Sequence, residues 1–182
     1  MHTEPKISLV RMSAEHLSQT RGWLRDPSLR REIDCLAPPT IEQNKAYWEA
    51  RWNDPSREDY AILREDREHV GNCGLGSIDS KRRKCELWIY LGCAQGQGIG
   101  KAAFRILLAR AFDGLNFNRV YLRVVEGNNR ALQFYRGFGF TLEGRWREDT
   151  VLDGKTVDSL WLSMLATEYR TLAAAVMARG GL

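Results

Sequence analysis

The stretch Gln95-Gly96-Gln97-Gly98-Ile99-Gly100-Lys101 has the composition of a phosphate cradle. Glycines permit positive φ and close approach of the backbone to a ligand, and the first free N–H groups of a following helix form an anion site. A second residue with chemical potential is Glu86, just upstream, whose i±2 spacing puts it on one strand face with Trp88 and Tyr90. A partly desolvated carboxylate there is a stronger base than a solvated one and could relay a proton through water. It could equally be a surface carboxylate paired with Lys or Arg of the neighbouring hairpin.

Two familiar glycine-loop chemistries fit poorly. A Walker A loop needs glycine where Gln95 stands and Ser or Thr where Ala102 stands, so both the loop glycine and the magnesium-binding hydroxyl are missing. Gly98-Ile99-Gly100-Lys101-Ala102-Ala103 matches a relaxed dinucleotide pattern, with Glu126 near the place of a ribose-binding acid. That pattern belongs at the first βα turn of its domain, with further βαβ units after it, whereas here several strands precede it. A nicotinamide-dependent oxidoreductase is therefore a minor alternative.

The elements that must position these groups follow from periodicity. Ile7 to Arg11 alternates as a strand, and Ser13 can cap a helix containing Leu17 and Leu24. Pro27 suits a first helical position, Pro38-Pro39 ends any helix over Ser28 to Cys35, and Thr40 with Gln43 forms a capping box for a helix carrying Tyr47, Trp48 and Trp52. Tyr60–Leu63, Val70–Ile78 and Cys85–Leu91 read as an antiparallel meander. Lys101 to Phe112 is then a helix and Val120 to Val124 a strand. Asn128–Arg136 is a short helix, Phe138 to Glu143 begins a strand, and Val157–Leu165 completes the sheet after an Asp153-Gly154 turn. Thr167 to Ala178 is a terminal helix ended by Gly180-Gly181. A meander plus one βαβ crossover predicts an α+β fold, a mixed and mostly antiparallel sheet of about seven strands with helices on both faces.

Composition bounds the rest. The 182 residues, 43% hydrophobic and 27% charged, suit one folded domain, with a core over about 7–165 and a C-terminal helix over about 166–179. No apolar run approaches the roughly 18 residues that span a bilayer, so a cytoplasmic protein with no membrane partner is expected. Cys35, Cys73, Cys85 and Cys93 form no CxxC pair and His2, His16 and His69 lack zinc spacing, so no metal is expected and the thiols should be reduced. The net charge of +4 suits acidic ligands, coenzyme phosphates included. Lys81-Arg82-Arg83-Lys84 lacks interleaved aromatics and reads as a solvated turn, not a nucleic-acid surface.

Two spaced segments carry a family resemblance. Gln95-x-x-Gly98-x-Gly100 resembles the pyrophosphate loop of the GCN5-related N-acetyltransferases, and Asn128-x-x-Ala131-x-x-x-Tyr135-x-x-x-Gly139-Phe140 is similar to that superfamily's second cofactor motif. The order of elements from Ile7 to Leu165 follows the same plan. Glu143-Gly144 with Arg147, then Asp153-Gly154-Lys155 and Asp158, resembles the branch of ribosomal-protein alanine and small-molecule or amino-sugar acetyltransferases. One departure is Gly92-Cys93-Ala94, a short turn without the proline often found there.

The resemblance implies an acetyl-CoA-dependent N-acetyltransferase in which a primary amine attacks the thioester directly. The loop amides of Gly96, Gln97, Gly98, Ile99, Gly100 and Lys101 would hold the pyrophosphate, assisted by the side chains of Gln95 and Lys101. Backbone groups of Leu91 to Cys93 would meet the pantetheine arm. Tyr135 would protonate the departing thiolate, and Asn128 would bind the coenzyme arm or position a water, cap its helix, or do both. For the amine's proton, the residue pattern itself makes Glu86, on the strand that enters the loop, the candidate base, with Glu148, Asp149 and Asp158 as lesser candidates for holding a cationic acceptor. Trp23, Trp48 and Trp52 pack helices or line an acceptor groove, while Trp146 and Trp161 are core or interface residues. The acceptor stays open among small amines, nucleotide-linked amino sugars and peptide N-termini. A non-catalytic acyl-CoA sensor is the competing class, and a homodimer through the last strand or terminal helix also stays open.

Overall fold

In the computed structural model, which describes residues 5–178, seven strands form one sheet in the order β1-β2-β3-β4-β5-β7-β6. They are β1 (Ile7–Arg11), β2 (Glu58–Arg64), β3 (His69–Asp79), β4 (Lys84–Leu91), β5 (Arg119–Val125), β6 (Thr141–Leu152) and β7 (Lys155–Leu165). Every neighbouring pair is antiparallel except β4 and β5, which run parallel because the chain crosses between them through a helix. The α+β reading is met.

The helices are α1 (Leu17–Trp23), α2 (Pro27–Glu32), α3 (Ile41–Trp52), α4 (Ile99–Ala109), α5 (Asn129–Gly137) and α6 (Ala166–Ala178). Their starts obey the expected local chemistry. Asp26 caps α2 by accepting from the Ser28 N–H, Pro27 occupies the first turn, and Thr40 and Gln43 exchange the two bonds of a capping box at α3. Several strands and helices begin or end one or two residues from where the sequence reading put them, and the larger differences are these. Ser13 leads into a short 3₁₀ turn, Ala14–His16, before α1 begins. The helix over Lys101 to Phe112 starts earlier, at Ile99, and closes in a π turn, Arg110–Gly114, where the Leu115 N–H reaches back to the Arg110 carbonyl at 2.9 Å. The strand expected from Phe138 begins at Thr141, because Gly139 at φ 90° and the Phe140 N–H bonded to the Tyr135 carbonyl end α5 first. The Gly180-Gly181 stop lies outside the described residues.

Strand alternation separates two unlike sheet faces. One carries Leu75, Leu87, Val120, Leu122, Leu162 and Met164, which pack with Phe104, Leu107 and Leu108 of α4 in the main core. Each such α4 side chain contributes about 1.5–3 kcal/mol by leaving water. The other face bears Asp59, Asn72, Ser159 and Ser163, all buried, with a small apolar cluster of Met12, Trp48, Ala61 and Leu63. A buried polar face is expensive unless its groups are paired, which makes it the informative side of the sheet.

Candidate active site

β4 and β5 pair only where Lys84–Glu86 faces Arg119–Tyr121. Beyond Glu86, β4 stays with β3 as far as Leu91 and β5 stays with β7 as far as Val125, so the sheet opens between them. A cavity of 1090 Å³ occupies this opening and continues under α2 and α3. The backbone of β4 is turned toward it. The Gly92 N–H bonds the Val70 carbonyl of β3, so antiparallel alternation directs the polar groups of Ile89 and Leu91 away from β3 and into the gap.

The glycine loop closes one end of the gap. Ala94, Gly96 and Gly98 have φ of 58°, 80° and 79°, a left-handed series that coils the chain into the first turn of α4. Gly98 is the N-cap and offers no side chain to the helix, and no acid stands in the first turn. The only acidic or basic residue of that turn is Lys101, a residue type that the helix dipole disfavours there and that a bound anion would offset. Gln95, Gly96, Gly98, Gly100 and Lys101 line the cavity. The Gln95 side-chain amide donates to the Leu91 carbonyl at 3.0 Å, bracing the loop against the strand end.

Three other residues of the expected set do not line the cavity. The Ile99 side chain is buried in the main core and Gln97 points to solvent. Cys93 is half-buried, and its N–H is spent on the Val70 carbonyl at 3.2 Å, because the short turn folds both Gly92 and Cys93 back onto β3. Leu91 does line the cavity, its carbonyl engaged by Gln95.

Opposite the loop, α5 supplies Asn128 and Tyr135. Asn128 caps α5 by accepting the Ala131 N–H at 3.1 Å, and it lines the cavity as well. Tyr135 is held by Phe104, Phe134 and Phe140, whose ring centroids lie 5.4, 5.3 and 6.2 Å away. Burial pushes its phenol well above the ordinary value, and among the described residues its hydroxyl makes no hydrogen bond. A packed ring with a protonated, unpartnered hydroxyl at a cavity wall is equipped to donate a proton or a hydrogen bond.

Glu86 stands where the β4–β5 pairing ends, in the same cavity wall as Trp88 and Tyr90. Its carboxylate touches the Ser77 hydroxyl at 3.4 Å and forms no ion pair among the described residues. The lesser candidates lie outside the wall. Asp149 is bound to Arg123 at 2.9 Å, Asp158 takes the Glu148 N–H and Arg145, and Glu148 is exposed. The basic run is a turn, with Arg82 on Asp79 at 2.8 Å and Arg83 on Asn116.

The remainder of the wall escaped the sequence reading. Asp34 at φ 58° bonds Arg123 at 2.6 Å and the Thr150 hydroxyl, tying the loop after α2 to β5 and β6. Arg51 grips buried Asp59 through Nε and Nη2, and Arg57 approaches the same carboxylate at 3.4 Å. The only available signal was Asp59 itself, a charge at an inward strand position that must be met by a cation. Of the tryptophans, Trp48 and Trp88 line the cavity while Trp146 is 57% exposed and packs on Trp161. All four thiols are free, and Cys35 lies in the cavity wall. Among the described residues no group of three or more His, Cys, Asp or Glu is placed to hold a metal ion, and no helix is long and apolar enough to cross a membrane.

Residues 6–141 match the family model described as an acetyltransferase (GNAT) domain. The chain belongs to the GNAT acetyltransferase family. It is similar to the uncharacterized N-acetyltransferase p20 of Bacillus licheniformis, 26% identical over 93% of this chain and 97% of that one. It also resembles the putative ribosomal N-acetyltransferase YdaF of Bacillus subtilis, 28% identical over 67% of each. Among solved structures, spermidine N-acetyltransferase from Vibrio cholerae, in complex with CoA and spermine, superposes with a TM-score of 0.83 at 19% identity, covering 90% of this chain and 98% of that one. The likeness in fold is thus established across the whole sheet. This GNAT chain is an N-acetyltransferase, and the dinucleotide reading of its glycines is withdrawn: only one strand pair is parallel, and the family is a transferase family.

Proposed function

We propose that the chain transfers the acetyl group of acetyl-CoA to a primary amine, with donor and acceptor entering the cavity from opposite sides of the splayed sheet. The observation that carries this reading is convergence: an uncapped helix N-terminus with Lys101, the open backbone of β4, the unpartnered Tyr135 hydroxyl and Glu86 all border one cavity. The α4 amides and Lys101 suit the coenzyme's pyrophosphate, which supplies the acetyl thioester. The Ile89 and Leu91 backbone suits an amide-bearing arm laid alongside β4 as an extra strand would be.

In the transfer, the amine nitrogen bonds to the acetyl carbonyl carbon as the carbon–sulfur bond breaks. Glu86, directly or through water, takes the proton that the ammonium must lose. Tyr135 gives its proton to the leaving sulfur. The donor-side set of Leu91, Gln95, Gly96, Gly98, Gly100, Lys101, Asn128 and Tyr135 is supported by shared exposure to the cavity; Gln97 and Ile99 contribute through backbone amides alone.

Calorimetry with acetyl-CoA, followed by thiol release on a panel of primary amines, tests the proposal. Binding together with amine-dependent thiol release is expected. No heat of binding at millimolar acetyl-CoA overturns it.

A further inference from the structure

The polar face of the sheet holds a hydrogen-bond chain whose direction can be worked out. His69 Nε2 lies 3.0 Å from the Gly71 carbonyl and 2.8 Å from Asn72 Oδ1. A carbonyl only accepts, so Nε2 carries the ring proton and Asn72 presents its oxygen to it. Burial draws His69 toward the neutral form, in agreement with Nδ1 lying buried without a partner. The Asn72 amide group must then donate both of its protons, one to Thr20 Oγ1 at 2.9 Å and one to Tyr90 Oη at 2.7 Å. Asn72 is fully buried, so neither bond exchanges with water.

It follows that the Thr20 and Tyr90 hydroxyls, each accepting from Asn72, have their own protons left over. No hydrogen bond among the described residues takes either proton, and both residues line the cavity. Arg51 lines it too, its guanidinium lying over the Trp88 ring, which in turn stacks with Tyr90 at 6.1 Å between centroids. With Nε and Nη2 spent on Asp59, Arg51 keeps Nη1 unbonded among the described residues. Asp59 is shared with Arg57, and the other nearby acid, Asp54, is turned onto Ser56 at the surface. This corner of the cavity therefore offers donors and positive charge.

It offers a second cation little. The faces of Tyr47, Trp48 and Trp88 already hold the Arg51 guanidinium at 4.7, 5.3 and 5.6 Å. Of two acids that line the cavity, Glu32 is paired with Arg130, and Asp34 is engaged at one oxygen by Arg123 and at the other by the Thr150 hydroxyl. Glu86 alone of the lining acids is without an ion pair among the described residues, at the far end of the same β4 face. Glu86 and Tyr90 are four residues apart, about 13 Å along a strand.

Resting on the acetyltransferase reading, we infer that the acceptor is an extended amine carrying an anionic group, carboxylate or phosphate, which docks on Tyr90 and Arg51 while the amine meets Glu86. A polyamine such as the one bound by the solved relative would place a cation against Arg51 and leave three donors without acceptors, a costly mismatch.

The test uses the full chain, acetyl-CoA, and four amines of similar length: ε-aminocaproate, aminohexyl phosphate, the neutral amide of ε-aminocaproate, and spermidine. Charge-assisted hydrogen bonds predict that an anionic amine exceeds the neutral amide in kcat/KM by about 10- to 100-fold. Whichever of the carboxylate and the phosphate is preferred identifies the source of the charge. Tyr90→Phe and Arg51→Lys should each shrink the anionic-to-neutral ratio about tenfold, chiefly through KM. Spermidine or the neutral amide turning over as well as both anionic amines overturns the inference, as does an unchanged ratio in folded Tyr90→Phe. Acetyl-CoA failing to bind at all would instead overturn the acetyltransferase reading beneath it, and the inference with it.

Discussion

Tyr135→Phe isolates one hydroxyl from everything else that residue does. The ring is 8% exposed and packs against Phe104, Phe134 and Phe140, contacts that phenylalanine keeps. Its hydroxyl makes no hydrogen bond among the described residues, so the usual loss of about 0.5–1.5 kcal/mol for a broken bond does not apply. Unfolding free energy should stay within about 0.5 kcal/mol of the parent, whereas Tyr135→Ala would cost about 3–5 kcal/mol through the cavity it leaves. Turnover should behave differently. Removing a positioned acid costs about 100- to 1000-fold, which is about 2.7–4 kcal/mol of barrier. Because burial raises the phenol above its ordinary value, Tyr135 stays protonated from acid to beyond about pH 10 and introduces no alkaline limb below that. Single-turnover thiol release, with acetyl-CoA affinity from calorimetry and a denaturant melt of the same preparation, gives all three quantities. A variant within threefold of the parent rate, with coenzyme affinity intact, refutes the acid role. A slow variant that has also lost stability would show that the ring was misread.

Gly98→Ala forces a Cβ at φ 79° with the Pro5 ring 3.3 Å away, which should cost about 1–2 kcal/mol and weaken acetyl-CoA in calorimetry about tenfold; Gly98→Asn, which tolerates that backbone better, should recover part of both. Arg123→Gln leaves Asp34 and Asp149 facing each other without their cation, so stability should fall by about 2–3 kcal/mol in urea melts. The same change frees the loop after α2 and should raise KM for the acceptor more than for acetyl-CoA. Glu143 is held down at about 2 from an ordinary 4.5, first by the Arg119 side chain. Its folded value lies below its unfolded one, so its stabilisation is present above pH 4.5 and drains away as pH falls toward 2. Thermal melts from pH 5 to pH 2 should therefore show a shallower acid decline in Glu143→Gln than in the parent.

The proposed donor half of the site was legible in the sequence because its features are local. Glycines at alternate positions, Gly96 and Gly98, permit left-handed backbone on the spot, strand alternation assigns faces without knowing the neighbours, and the Asn128, Asp26 and Thr40 caps form within three residues. These features held, apart from a few boundaries where helix ends are decided by bonds such as Phe140 to Tyr135. Leu91 to Cys93 shows the limit even there: only β3 pairing reveals that the Cys93 N–H is already spent.

The proposed acceptor half depends on tertiary structure. Thr20, Asn72 and Tyr90 come from one helix and two strands, and Asp34 meets Arg123 across 89 positions. No spacing rule relates such residues, since their distances depend on strand order, register and where β4 leaves β5. The physical cause is the buried polar face. A charge or amide placed there must find a partner from whichever segment folds over it, and the partner it finds settles which donors remain for a substrate.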